Sequence, residues 1–231
     1  MNETLQNQYS SALNGGLSED RQRVLRNTYW LLALSMVPTV LGAWVGVTTG
    51  IMASMGMGMS MMVFLVGAFG LMYAVEKTKH SSTGVYMLLA FTFFMGLMLS
   101  RMLASILGFR NGSSLIMMAF GGTGAIFFAM ATLATVIKRD LTSMGKFLYV
   151  GAIILLVVGL ANIFIQSSAL MLTMLALSMA VFSAFMLYDI KRVLDGGETN
   201  YISATLAIYL DIYNVFQSLL ALLGIFGGEK D

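Results

Sequence analysis

Two aspartates lie in long apolar segments, where a charged side chain is expensive. Asp189 follows 42 uncharged residues, 147–188, and Asp211 is the only charged residue between Tyr201 and Phe226. The turn-forming sequence Asp195-Gly196-Gly197 lies between the two segments. If both segments are helices, Asp189 lies roughly 9 Å before the turn and Asp211 about 15 Å into its helix, at 1.5 Å per residue. Helix tilt can close this difference of several Å, so the two carboxyl groups could face each other.

Small and polar residues accompany Asp211 on one helix face, at spacings of three or four residues. They are Ser203, Ala207, Asp211, Asn214 and Ser218. Two adjacent carboxylates in a low-dielectric site titrate in two steps, so the pair could sense protons. When deprotonated, Asp189 and Asp211 offer hard oxygen ligands that suit Ca²⁺. Asp189, Asp211 and Asn214 are thus candidates for a pH-sensing ion pathway; alternatively, a neighbouring helix or interfacial water satisfies each aspartate.

The composition shows what kind of element must position these residues. Hydrophobic residues make up 58% of the 231 residues and charged residues 10%, and the mean hydropathy is +0.83. A soluble domain carries roughly 25% charged residues and exposes most of its surface to water. The composition therefore excludes a soluble enzyme, a nucleic-acid-binding protein and a disordered chain, and predicts an integral membrane protein.

The uncharged stretches give the number of membrane spans. Residues 27–75, 111–137 and 147–188 contain 49, 27 and 42 uncharged residues. Because one helix needs about 20 apolar residues to cross the membrane, these stretches hold two, one and two spans. Two further runs bring the prediction to an all-α membrane protein with seven transmembrane helices. The predicted spans are 29–50, 57–75, 84–107, 115–137, 147–165, 170–190 and 201–226.

The basic residues predict how the chain is oriented. With the N-terminus in the cytoplasm, 10 of the 13 lysines and arginines fall on the cytoplasmic side, and Arg101, Arg110 and Lys230 on the other. This bias follows the positive-inside rule for short loops. We therefore expect a cytoplasmic tail of residues 1–26, a seven-helix domain over residues 27–231, and a C-terminus in the periplasm.

Other sequence features have structural as well as functional explanations. Methionines at 55, 57, 59, 61 and 62 could bind Cu(I), which makes a Met-rich Cu(I) transporter one alternative, although methionine commonly fills irregular apolar space. Glycines at 42, 46 and 50, and those within Gly121-Gly122-Thr123-Gly124, are expected to pack helices closely. The chain has no cysteine and one histidine, His80 in a predicted loop, so no Ser-His or Cys-His catalytic pair is available.

An intramembrane aspartyl protease is a second alternative. Such enzymes also place Tyr-Asp in the sixth span and an aspartate in the seventh, as Tyr188-Asp189 and Asp211 do. Asp211, however, follows Ile208-Tyr209-Leu210 instead of Gly-x-Gly, and glycines are needed for close backbone approach to a peptide substrate. We therefore expect a protein that is not an enzyme.

Several motifs resemble those of the Bax inhibitor family. Asp189 after Tyr188, Gly196-Gly197-Glu198-Thr199-Asn200-Tyr201, and the segment 209–216, Tyr-Leu-Asp-Ile-Tyr-Asn-Val-Phe, are similar to the end of its members. Residues 24–29, 121–123 and 161–166 look like the proteobacterial YccA branch. The resemblance covers about residues 24–224.

The resemblance implies a fold in which the last helix is surrounded by the other six. It also implies a pH-sensitive Ca²⁺ leak governed by two aspartates, which match Asp189 and Asp211. For the YccA branch it implies binding and modulation of the FtsH membrane protease, with residues 1–26 as the segment that the protease grips. Channel-type relatives carry a basic residue in the second span, whereas the first basic residue in that span here is Lys77.

Overall fold

The computed structural model describes residues 3–229, and it describes their side chains from Glu19 onward except for Met57. All regular elements in this part of the chain are α-helices. In chain order they are α1 (Glu3–Thr49), α2 (Ile51–Ser54), α3 (Met57–Thr78), α4 (Ser82–Leu107), α5 (Gly112–Val136), α6 (Thr142–Ile165), α7 (Ser168–Leu194) and α8 (Tyr201–Gly227).

The seven predicted spans are confirmed as helices, and α2 is a single turn between the first two. Each of the seven is long and apolar enough to cross a membrane. The helices extend beyond several predicted limits: α1 already includes the residues before residue 29, and α7 ends at Leu194 instead of residue 190. Counting apolar residues finds only the part within hydrocarbon, whereas the backbone hydrogen bonds of a helix continue into the polar interface.

The predicted cytoplasmic tail, residues 1–26, lies partly outside the described residues. From Glu3 onward these residues belong to α1, so the predicted boundary at residue 26 falls inside one helix. Side chains 1–18 are not among those described. The limits of the tail as a separate unit therefore stay a prediction.

Helix α8 lies within the bundle and packs against α7, α5, α1, α4 and α3. Its first half is buried on nearly every side, and Ile202, Ile208 and Val215 are at most 1% exposed. Helix α6 packs mainly on α7, at the edge of the bundle. The family resemblance implies six helices around α8, and here five of them pack against it while α6 packs mainly on α7.

Helices α1 and α4 cross closely because glycines lie at their contact. A Cβ atom at Gly42 would overlap the carbonyl group of Phe93, and one at Gly96 would overlap that of Thr39. Gly46 likewise faces Ser100, so the prediction of close packing is confirmed for Gly42 and Gly46. It is wrong for Gly50, which has a φ of 65° and ends α1 with no neighbour against its Cβ position.

The glycines of α5 show the same distinction between contact and exposure. Gly122 faces the side chain of Leu219 in α8, as expected for a packing position. Gly121 and Gly124 meet nothing within 4 Å, so close packing is the wrong prediction for them. They lie on other sides of the same helix, and adjacency in sequence does not put residues on one helix face.

The alternation of seven crossings defines two ends of the bundle. The N-terminal face carries the loop between α3 and α4, the loop between α5 and α6, and the turn between α7 and α8. The opposite face carries the loop between α4 and α5 together with the C-terminus, where the Asn111 amide donates to the Gly227 carbonyl at 2.7 Å. The candidate site lies near the N-terminal face.

Candidate functional site

The turn after α7 brings the two aspartates together. Gly196 adopts a φ of 79°, a left-handed conformation that glycine reaches without steric cost. The Gly197 amide then donates to the Arg192 carbonyl at 2.8 Å, which closes the end of α7. Asn200 caps α8, because its side-chain oxygen accepts from the amides of Ile202 and Ser203. The turn therefore folds α8 back along α7, and the predicted reversal at Asp195-Gly196-Gly197 is confirmed.

Asp189 and Asp211 face each other across the contact between α7 and α8. Their carboxyl groups are within hydrogen-bonding reach of one another. Asp211 is 4% exposed, and its Oδ2 atom has no hydrogen-bond partner in the described part of the chain. A hydrogen bond between two carboxyl groups requires one of them to hold a proton. The spacing of the sequence thus predicts this juxtaposition correctly, while its role as a pH sensor stays a prediction.

Asp189 also lines a cavity of about 240 Å³ near the N-terminal face. The cavity lies between α3, α7 and α8, and three carboxylates and one guanidinium contribute to its wall. The polar lining residues are Glu76, Asp189, Arg192, Glu198 and Ser203. Asp211 lies behind Asp189, deeper in the bundle. Ions or protons that reach the cavity would therefore meet Asp189 before Asp211.

Each of the outer carboxylates already has a partner. Lys79 Nζ lies 2.6 Å from Glu76 Oε2, and the Ser203 hydroxyl donates to Glu76 Oε1 at 2.8 Å. Arg192 lies 3.5 Å from Glu198 Oε2. The hydrogen bond to Glu76 raises the pKa of Lys79 above its ordinary value, so this ammonium group keeps its charge. Glu76 and Glu198 are therefore held in place at the cavity, whereas Asp189 lies near Asp211, Arg192 and Glu198 without forming an ion pair among the described residues.

The third predicted site residue, Asn214, is on the same helix but bonds elsewhere. Its side chain is half-buried, and its Nδ2 atom donates to the Leu210 carbonyl of α8 at 2.8 Å. The hydrogen bonds of the described residues do not join Asn214 to either aspartate. Its place in an ion pathway stays a prediction, supported by helix face alone.

Metal binding at the pair also stays a prediction. Among the described residues, no group of three or more Asp, Glu, His or Cys side chains is arranged to hold a metal ion. Asp189 and Asp211 could supply two carboxylates to Ca²⁺, which ordinarily takes six to eight oxygen ligands. Most of its ligands would then be water or backbone carbonyl oxygens.

Sequence reasoning missed Glu76, Arg192 and Glu198 as parts of the site. Glu76 is the first charged residue after 49 uncharged ones, and Glu198 lies in the Gly-Gly-Glu-Thr-Asn-Tyr motif. Both signals are visible in the sequence. They do not reveal that the end of the second span lies beside the start of the last, since that contact joins residues 127 positions apart.

Two tyrosines of α8 were also missed, although they hold the helix in place. The Tyr209 hydroxyl bonds Thr39 Oγ1 of α1 at 2.9 Å, and the Tyr213 hydroxyl donates to the Met95 carbonyl of α4 at 3.2 Å. Both side chains are at most 5% exposed. Their four-residue spacing is the signal, because it places two buried hydroxyl groups on one side of α8.

The methionines of the second span lie partly on the outer surface. Met59 and Met62 are 59% and 63% exposed, as expected for side chains that contact lipid. Met57 lies outside the described side chains. A copper site on this segment stays a prediction.

Comparison with known proteins agrees with this architecture. The family model described as "Inhibitor of apoptosis-promoting Bax1" matches residues 21–228. An uncharacterized membrane protein of Vibrio cholerae is 39% identical, over 89% of this chain and 91% of its own. A protein of Escherichia coli strain K12 named "Modulator of FtsH protease YccA" is 37% identical, over 87% and 90%. An uncharacterized protein of Pseudomonas aeruginosa is 36% identical, over 94% and 96%. The chain therefore belongs to the Bax inhibitor family.

Proposed function

We propose that this protein passes Ca²⁺ across the bacterial inner membrane under control of the Asp189–Asp211 pair. The observation that carries the proposal is the position of Asp189, which lines a cavity near the N-terminal face while its carboxyl group faces that of Asp211. The cavity offers a way in from one side of the membrane. The pair, with Asp189 at the cavity and Asp211 buried behind it, closes that way at a point where protonation can change the structure.

The mechanism follows from the chemistry of two adjacent carboxyl groups. With one proton between them, the groups share a hydrogen bond that joins α7 to α8. Without it, two anions in a low-dielectric site repel each other or take up a cation. Because α8 packs against five other helices, a shift at Asp211 alters contacts throughout the bundle. Deprotonation is thus expected to open the path and protonation to close it.

The test is Ca²⁺ uptake by proteoliposomes containing the purified protein, between about pH 6 and pH 8. We expect uptake by the unmodified protein to rise with pH, and Asp189→Asn and Asp211→Asn to flatten that rise, because an amide does not titrate. Asp195→Asn is the matched control, since Asp195 pairs with Lys191 at the surface and does not line the cavity. A pH profile that both buried substitutions leave unchanged would exclude the pair as the sensor.

We further propose that the protein modulates an FtsH-type protease. The supporting observation is the relative of Escherichia coli that carries this name and matches most of both chains. The predicted orientation puts residues 1–26 in the cytoplasm, where a protease could grip them. The polar composition of these residues suits such a segment.

This second proposal is tested by deleting residues 1–20 and following the lifetime of the protein in cells. We expect a longer lifetime in cells with active FtsH and no change in cells that lack it. Thermal unfolding of the purified truncated protein checks that the helical bundle is intact. Equal lifetimes of the truncated and full chains in the presence of FtsH would show that the tail is not the segment recognised.

Neither alternative activity is favoured by the geometry of the site. A protease would need glycines before the seventh-span aspartate, and Tyr209 occupies that stretch with a fully buried, hydrogen-bonded side chain. Cleavage of a membrane substrate by purified vesicles, lost on Asp211→Asn, would restore the protease alternative. Copper-dependent uptake lost on removal of methionines 59 and 62 would restore the transporter alternative.

A further inference from the structure

One side-chain hydrogen bond joins α3 to α8 at the cavity. The Ser203 hydroxyl, in the first turn of α8, donates to Glu76 Oε1 near the end of α3 at 2.8 Å. Both residues line the cavity that contains Asp189. Within the part of the chain that the structure describes, no other side-chain hydrogen bond links these two helices. The hydrogen bond therefore forms part of the cavity wall on the side of α3.

The surroundings of Glu76 orient its carboxylate toward Ser203. Lys79 Nζ pairs with Oε2 at 2.6 Å, which leaves Oε1 for the serine hydroxyl. Outside the two helices, the Asn200 amide donates to the Lys79 carbonyl at 2.9 Å and so joins the adjoining loops. The Glu76–Ser203 hydrogen bond lies about one helical turn further toward the membrane interior than this loop contact.

Among the described residues, no other side-chain hydrogen bond holds this part of α3 against α8. Helix α3 packs chiefly against α4, and only 11% of its most apolar segment is buried. Val75, beside Glu76, is fully buried in the core, whereas the neighbouring turn presents Tyr73 at 67% exposure. In lipid, apolar side chains gain little by leaving lipid for protein, so polar contacts between helices carry more of the specificity. The hydrogen bond between Glu76, whose side chain is 46% exposed, and Ser203 is thus the polar contact that can hold this part of the wall together.

We propose that Glu76 and Ser203 are positioning residues that hold α3 against α8 and so limit access to Asp189 from the N-terminal face. For its effect on ion flux the inference rests on the proposed function. The claim that Glu76 and Ser203 limit access to the cavity does not depend on whether the protein passes ions. It predicts that deleting either side of the hydrogen bond opens the cavity, even though Glu76 adds negative charge that would attract cations.

The test measures access with a cysteine placed in the cavity. The chain has no cysteine, so Ala207→Cys, at a lining position, supplies a single thiol. A positively charged, membrane-impermeant methanethiosulfonate reagent is added to the protein in lipid nanodiscs, and the rate of modification is followed by mass. We expect Ser203→Ala and Glu76→Ala, each in this background, to raise the rate roughly threefold to tenfold.

Three further variants separate the hydrogen bond from charge and from general destabilisation. Glu76→Gln keeps an oxygen acceptor for Ser203 and should restore a rate close to that of the Ala207→Cys parent. Lys79→Gln removes the ion pair that orients Glu76 and should raise the rate less than Glu76→Ala does. Ser105→Ala removes an exposed hydroxyl that bonds its own helix and should leave the rate unchanged. Thermal unfolding of each variant reports its stability separately from access.

The outcomes distinguish this inference from the proposed function. An unchanged rate in both Ser203→Ala and Glu76→Ala overturns the inference, whatever the flux of the unmodified protein. A rate that rises equally with Glu76→Gln and Glu76→Ala also overturns it, because the lost ion pair with Lys79, and not the lost acceptor, would then be the cause. If the rates change as expected while liposomes take up no Ca²⁺, the positioning role stands and the proposed function fails.

Discussion

At the scale of single residues, the site depends on which polar groups have partners. Asp211 Oδ2 lacks a partner among the described residues, and Asp189 is the carboxyl group that faces this aspartate. Glu76, by contrast, is bonded on both oxygens. A buried carboxyl group with one titratable neighbour responds to protons more readily than a carboxylate held by two donors. This difference supports Asp189 and Asp211, rather than Glu76, as the proposed sensor.

Asn200 is expected to contribute measurably to stability. It caps α8 through two backbone amides and donates to the Lys79 carbonyl. Asn200→Ala should lower the free energy of unfolding by about 1–2 kcal/mol, the usual effect of losing a helix cap. Asn200→Asp keeps the cap but loses the donor to the Lys79 carbonyl. Its free energy of unfolding should therefore lie between those of the unmodified protein and Asn200→Ala. Thermal unfolding in detergent measures both, and Asn200→Ala with unchanged stability would contradict the assigned role.

At the scale of elements, the close crossing of α1 and α4 is linked to the position of α8. The two helices approach closely because Gly42 and Gly46 face α4 while Gly96 faces α1. Small residues at such contacts are a common means of helix association in lipid. Thr39 takes part on both sides, since its carbonyl group lies against Gly96 and its hydroxyl bonds Tyr209 of α8. The crossing therefore also positions α8.

Gly96→Ala should push α1 and α4 apart and lower the stability of the protein. The added Cβ would overlap the Thr39 backbone, and such overpacking typically costs about 1–3 kcal/mol. Gly124→Ala is the matched control, because its Cβ would meet nothing within 4 Å and alanine is the better helix former. We expect a lower unfolding temperature for Gly96→Ala and an equal or higher one for Gly124→Ala. Equal stability of the two variants would refute close packing at Gly96.

At the scale of the whole molecule, charge is concentrated on one face. Most of the lysines and arginines belong to the loops and helix ends of the N-terminal face. The cavity lies near the same face. In the proposed orientation the cavity opens toward the cytoplasm. Cytoplasmic pH would then act on the Asp189–Asp211 pair.

Labelling of single cysteines tests this orientation. Thr199→Cys lies on the N-terminal face and Ser113→Cys on the opposite face, and both positions are exposed. An impermeant thiol reagent added to intact spheroplasts should modify Ser113→Cys only, because the positive-inside rule places Thr199 in the cytoplasm. After the cells are opened, both should react. Labelling of Thr199→Cys in intact spheroplasts would reverse the proposed orientation and the direction of the cavity.

The sequence predicts the helices far better than their contacts. The seven spans, the turn at Gly196 and the approach of Asp189 to Asp211 follow from local information, because the two aspartates lie on consecutive helices joined by a short turn. Gly50 and Gly124 were assigned to packing faces incorrectly, since recurrence of glycine does not reveal which side of a helix meets a neighbour. Asn214 lies on the expected face, yet its amide bonds its own helix.

The sequence by itself therefore determined that this protein is a seven-helix membrane protein with two adjacent carboxyl groups in its last two spans. An apolar helix satisfies its own backbone hydrogen bonds, so each span can be recognised without reference to the others. Only the tertiary structure decided that α3, α7 and α8 enclose a cavity, that Glu76 bonds Ser203, and that Tyr209 and Tyr213 attach α8 to α1 and α4. These contacts join residues more than 100 positions apart, and they depend on how the helices pack, which no local pattern encodes.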